Sequence, residues 1–181
     1  MVGKLENKGT SLSLAIYKVV LMKSMQEWFD RYGESHQNPT NKLIHWVCVP
    51  AIFFSLIGLL SCIPHAFMNH LLDENWAPYL HVGTLLIIGG LLFYARISWQ
   101  MALGMLVVSA LLLYLVKLVN MSIPSSALWA YLGIFAIAWI GQFIGHKIEG
   151  KKPSFLEDLQ FLMIGPGWLL GFIYKKWGLS Y

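Results

Sequence analysis

The sequence predicts an all-α integral membrane protein, a bundle of four transmembrane helices with interfacial helices toward its N- and C-terminal ends. Three observations carry this prediction. Apolar stretches recur four times between residues 43 and 148. Only 12% of the residues are charged, about half the share usual in a soluble domain, so lipid has to cover much of the surface. Lysine and arginine also collect on one side of these stretches. Residues 1–42 hold six, the 64–78 loop none, the 96–98 turn one, the 120–126 loop none, and the chain from Lys147 onward five. The remaining one, Lys117, can snorkel from the end of the third span. By the positive-inside rule both termini are cytoplasmic. The net charge of +4 therefore reads as topology, not as a nucleic-acid footprint.

The elements follow in order. Across residues 12–30, Leu14, Leu21, Met25 and Trp28 recur at helical spacing with Lys18, Lys23 and Glu27 between them, which predicts a helix lying along the inner interface. Lys18 interrupts the only early apolar run and no small-x-small site follows, so a cleaved signal peptide is not expected. The first span, 43–63, is long enough for a hydrocarbon core of about 30 Å and contains Pro50, tolerated in a membrane helix when neighbours satisfy the freed carbonyl. The second, 79–95, is at the lower limit of spanning length, whereas 99–119 and 127–148 are clear spans. Their short connections predict antiparallel neighbours. Residues 155–174 carry Glu157, Asp158 and Gly165-Pro166-Gly167 between basic pairs, and read as a helix, a break and a second helix lying on or dipping into the membrane. Cys48 and Cys62 have no C-x-x-C spacing and read as two buried thiols.

This topology divides the six histidines. His65, His70 and His81 fall on the outer side, the first two as solvated residues and His81 at the start of a span. His36, His45 and His146 share the cytoplasmic side, although about a hundred residues of sequence separate the last from the others. Asn38-Pro39 marks a turn, with Thr40 or Asn41 as the expected N-cap of the first span. At the other end, Gln142, His146 and Glu149 close the fourth span, and His146 and Glu149 share a helix face. Polar groups at membrane depth are costly and tend to be functional. Imidazoles with a carboxylate suit zinc or iron, and spacing alone leaves the two metals open.

The residues that carry this pattern, His36-x4-Asn41-x3-His45-x4-Pro50 early and Gly145-His146-x2-Glu149-x3-Pro153 late, resemble the 2-hydroxy fatty acid dioxygenase family over about residues 28–166. Its fungal members act in α-oxidation at the endoplasmic reticulum, and its bacterial members are small membrane proteins. The resemblance implies Fe(II)- and O2-dependent shortening of a 2-hydroxy fatty acid by one carbon, with C1 lost as CO2. It implies His36, His45 and His146 as iron ligands, and Glu149 as a ligand or as a carboxylate orienting an imidazole. Asn41 and Gln142 are then candidates to hydrogen-bond the substrate or a ligand, and the partners are a 2-hydroxy fatty acid, O2 and membrane lipid. Lys42 is a positive-inside anchor that can also meet the substrate carboxylate. The chain departs from the family pattern after Pro166, where no acidic residue follows, so any role of a carboxylate there does not carry over. Two other readings use the same residues, a zinc-dependent lipid hydrolase and a non-enzymatic lipid-binding or scaffold protein. No charged residue sits mid-span and no internal repeat is visible, which argues against a transporter.

Overall fold

The protein is described here by a computed structural model covering residues 24–64, 73, 75–150 and 161–181. Among these residues there are six α-helices and no strand: α1 (Met25–Gly33), α2 (Pro39–Ser61), α3 (Val82–Ile97), α4 (Trp99–Ser122), α5 (Ala127–Glu149) and α6 (Ile164–Lys176). A 3-10 turn, Ala77–Tyr79, leads into α3. Residues 12–23 and 155–160 of the expected interfacial helices, and His65 and His70, lie outside the described residues.

Local chemistry sets the helix boundaries. At α1, Ser24 and Glu27 form a reciprocal capping box, the Glu27 N–H donating to Ser24 Oγ and the Ser24 N–H to the Glu27 carboxylate. At α2 the N-cap is Asn38, not Thr40 or Asn41. Its side-chain oxygen accepts from the N–H groups of Thr40 and Asn41, and Pro39 occupies the first helical position, where its missing N–H costs nothing. The helix therefore starts four residues before the apolar run and carries Asn41 and His45 on one face, a turn apart. Ser98 ends α3 and caps α4, accepting from the Met101 N–H, so a single residue joins these two helices. Gly150 closes α5 in the left-handed conformation at φ 73°.

Three helices, α2, α4 and α5, are long and apolar enough to cross a membrane. The second expected span differs: α3 begins at Val82, and its 16 residues reach only about 24 Å. Large apolar side chains such as Leu43, Val107, Leu111 and Ile137 stand exposed along the three long helices, as lipid-facing surface requires. Exposed tryptophans occur at both ends of the bundle, Trp76 and Trp129 at one and Trp99 and Trp177 at the other, as in the aromatic belts of membrane proteins. Gly165, Pro166 and Gly167 do not break the C-terminal helix. They form its first turn, where backbone N–H groups have no intrahelical partner and proline is tolerated. Nor are both thiols buried: Cys48 is half-buried and Cys62 exposed.

The most extensive helix–helix interface is between α2 and α5. Gly141 and Gly145, four residues apart on α5, face α2 so closely that a Cβ at either would overlap Cys48 Sγ or Asn41 Oδ1 respectively. This is small-x-x-x-small packing, which lets membrane helices approach backbone to backbone. Helix α6 packs against α1, α2 and α4. The Tyr94 hydroxyl of α3 donates to the Met163 carbonyl and accepts from the Gly167 N–H, fixing where α6 begins. The buried side chains of α1 are Met25, Phe29 and Tyr32, a helical stripe directed at α6. At the far end of the bundle from the histidines, Tyr131 donates to the Val116 carbonyl and Asn120 Oδ1, and Asn120 Nδ2 donates to Ser61 Oγ.

Gly145→Ala is expected to lower stability by about 1–3 kcal/mol through overpacking. Gly133→Ala, on the same helix with nothing within 4 Å of the added methyl, is expected to be neutral or to stabilise by up to about 1 kcal/mol. Thermal unfolding in detergent micelles checks both; equal midpoints for the two variants would contradict the close approach.

Candidate metal centre

Three elements deliver the histidines to one point. His36 lies in the turn between α1 and α2, His45 near the start of α2, and His146 near the end of α5. All three are buried, at 2%, 1% and 5% exposure. Their ring centroids are 4.2 Å apart for His36–His45, 5.3 Å for His36–His146 and 5.1 Å for His45–His146. One ligand atom from each lies within 4.8 Å of the others, so the group can hold a metal ion.

Two of the rings are oriented by backbone carbonyls. His36 Nδ1 donates to the Tyr32 carbonyl at 2.6 Å, and His45 Nδ1 donates to the Asn41 carbonyl at 2.9 Å. A carbonyl only accepts, so in each neutral ring the proton sits on Nδ1 and the lone pair on Nε2, the tautomer a metal ligand needs. The Tyr32 ring stacks on His36 at 4.2 Å and 14°. Trp168 of α6 lies 5.1 Å from Tyr32 and 5.4 Å from His36, and Phe161 sits 5.4 Å from Tyr32. These aromatics pack against the His36 side of the cluster. The donor set of buried, pre-oriented imidazoles is borderline in softness and fits iron or zinc.

The remaining candidates take different positions. Glu149 faces the turn that carries His36: its carboxylate accepts from the Gln37 N–H at 2.7 Å, the Asn38 N–H at 2.9 Å and Asn41 Nδ2 at 3.0 Å. The ligand group itself consists of the three histidines, and Glu149 ties the His36 turn to the helix that bears His146. Asn41 is fully buried, and its Nδ2 also donates to the Ser35 carbonyl at 3.2 Å. Gln142, one turn before His146, is buried and borders a cleft beside His45. Lys42 lines a polar cavity that reaches His36, with Asp30 and Lys175. His81 is buried at the N-cap of α3, away from the other three.

Sequence reasoning passed over Tyr32, Trp168 and the Gly141/Gly145 pair. Tyr32 stands one helical turn before His36, a spacing that itself suggests contact. The G-x-x-x-G pattern of the last span was likewise readable as a packing face. Nothing in the sequence marks Trp168, whose place depends on how α6 docks.

A helical protein with three membrane-length helices and a buried three-histidine cluster at one end of the bundle is, as a class, a candidate membrane metalloprotein. The family model described as 2-hydroxy-palmitic acid dioxygenase Mpo1-like matches residues 22–177. The chain is also 30% identical over 147 residues, 80% of this chain and 76% of the relative, to the 2-hydroxy-palmitic acid dioxygenase MPO1 of Saccharomyces cerevisiae. No solved structure matches significantly. The chain belongs to the Mpo1-like family.

Glu149→Gln puts an amide N–H donor among the donors that the carboxylate now accepts from, and the His36 turn is expected to loosen. Metal affinity, read by competition with a chelator, should fall about 10- to 100-fold with helix content unchanged. Wild-type affinity in this variant would contradict the tethering role.

Proposed function

We propose that this protein is an Fe(II)-dependent dioxygenase that shortens 2-hydroxy fatty acids by one carbon at the cytoplasmic membrane interface. The reaction consumes one O2 and one 2-hydroxy acid and yields the shorter acid, CO2 and water. The observation that carries the proposal is the buried triad of His36, His45 and His146, with ligand atoms within 4.8 Å of one another, in a member of this family. His36, His45 and His146 would hold Fe(II), which when bound would supply O2 activation.

The protein's own groups orient and exclude. The Tyr32 and Asn41 carbonyls hold the His36 and His45 rings in one tautomer. Glu149 and Asn41 keep the His36 turn in register with α5. Tyr32 and Trp168 pack against the His36 side of the cluster and hold that ring in place. Gln142, buried beside His45, offers an amide that can hydrogen-bond the substrate hydroxyl or carboxylate.

The proposal includes a four-span arrangement with both termini cytoplasmic. His45 near the start of α2 and His146 near the end of α5 meet at one level, so these two helices run antiparallel. An α3–α4 hairpin joined only through Ser98 gives the two further passes that connect them. The lysine and arginine asymmetry supports a cytoplasmic position for the histidine end.

The test is anaerobic loading of the purified protein with Fe(II), followed by addition of 2-hydroxypalmitate and O2. The expected result is O2 uptake with formation of the acid one carbon shorter, abolished in His36→Ala, His45→Ala and His146→Ala. Product from zinc-loaded protein, or none from the iron-loaded form, would overturn the proposal.

A further inference from the structure

On the His36 side of the cluster a cavity of about 300 Å³ opens between α1, the start of α2 and the end of α6. Its lining brings two cations, Lys42 and Lys175, together with His36, Trp168 and Phe172. Among the described residues Asp30 is the one carboxylate that lines it, and the Gln26 amide already donates to that group at 2.6 Å. The charge balance of the cavity is therefore positive. A second cavity, of about 170 Å³, lies between α2, α4 and α6, and its described lining is wholly apolar, with Trp46, Pro50, Phe53, Val108 and Ile173 among it. By contrast, the cleft bordered by His45 and Gln142 holds about 30 Å³, the space of one water-sized molecule.

The two larger cavities follow one another along the same pair of helices. On α2, Lys42, Trp46, Pro50 and Phe53 succeed one another at helical spacing, a run of about 16 Å toward the middle of the bundle. Helix α6 runs the opposite way, with Lys175 at the polar cavity and Pro166 at the apolar one. Trp46 of the apolar lining and Phe172 of the polar lining are neighbours, with ring centroids 6.1 Å apart. Both rings are 39% exposed, so a single aromatic pair at the protein surface separates the two spaces.

We infer that the 2-hydroxy fatty acid lies along this α2–α6 face, its carboxylate held by Lys42 and Lys175 and its chain crossing Trp46 and Phe172 into the apolar cavity. The order of groups matches the acid: point charges for an anion beside a histidine of the cluster, then hydrocarbon alone. The inference rests on the dioxygenase reading for the identity of the acid, and adds to it the path of the chain and Lys175 as a recognising residue.

The test uses the full-length, iron-loaded protein in phosphatidylcholine nanodiscs without O2, so that binding is read in the absence of turnover. A 2-hydroxypalmitate analogue with a diazirine at its chain end is irradiated, and the labelled peptides are located by mass spectrometry. Saturable label is expected on Phe53, Val108 or Leu112, displaced by unlabelled 2-hydroxypalmitate. Val108→Trp, which fills the apolar cavity, should remove that label. Replacing both Lys42→Gln and Lys175→Gln should raise the half-labelling concentration about tenfold for the acid and leave that of its methyl ester unchanged. Label on the exposed side of α5, or label that the unlabelled acid does not displace, overturns the placement. An unaltered half-labelling concentration in the double lysine variant overturns it too. Displacement by phosphatidylglycerol, but not by the acid, gives the groove to a membrane phospholipid and overturns it as well. Turnover, assayed separately, decides the reaction: label in the expected place without product keeps this site and removes the dioxygenase reading, whereas product with label elsewhere does the reverse.

Discussion

The antiparallel seam between α2 and α5 is the constraint on which the site depends. Gly141 and Gly145 remove the side chains that would hold the two helices apart, and the helices close until Asn41 and His45 face His146. In an apolar medium every buried polar group has to find its partner within the protein. Glu149 does this across the seam, taking two backbone N–H groups and the Asn41 amide at once. Of those donors the Asn41 amide is fully buried, and left without a partner it would cost about 1–3 kcal/mol. The same contacts that satisfy the polar end of the bundle therefore set the spacing of the histidines.

Polarity is segregated along the bundle. Beyond His45 and Gln142 the interior becomes apolar over Val49, Ile52 and Ala138. The far end has its own small polar network of Tyr131, Asn120 and Ser61. Helix α6 completes the enclosure: Trp168 packs over Tyr32, and Tyr32 over His36. The C-terminal segment shapes the site although it contributes no histidine to the cluster.

Much of this was legible in the sequence. Length and hydropathy located the three long helices, and charge asymmetry with short connections implied that distant histidines could meet. What sequence could not resolve was local competition between groups of similar type. Asn38, Thr40 and Asn41 are all able to cap a helix, and Asn38 takes the role because Pro39 directly follows it. Gly165-Pro166-Gly167 reads as a break in isolation, yet it forms a first turn once the Tyr94 hydroxyl binds Met163 and Gly167. The family resemblance left Glu149 as a ligand or as a carboxylate orienting an imidazole, and in the fold it accepts from the turn that carries His36. The difference lies in the loop donors opposite it, which only the folded turn presents. Trp168 belongs to the site through docking of α6 on α1, a tertiary fact without a periodic signal.

The central claim is that three imidazoles from both ends of the chain share one metal. X-ray absorption at the iron edge of anaerobically loaded protein tests it most directly. The account predicts one iron per chain with scattering from imidazole nitrogens, and a spectrum that loses imidazole character when His146 is replaced. Iron that is not retained, or a spectrum indifferent to His146, would contradict it.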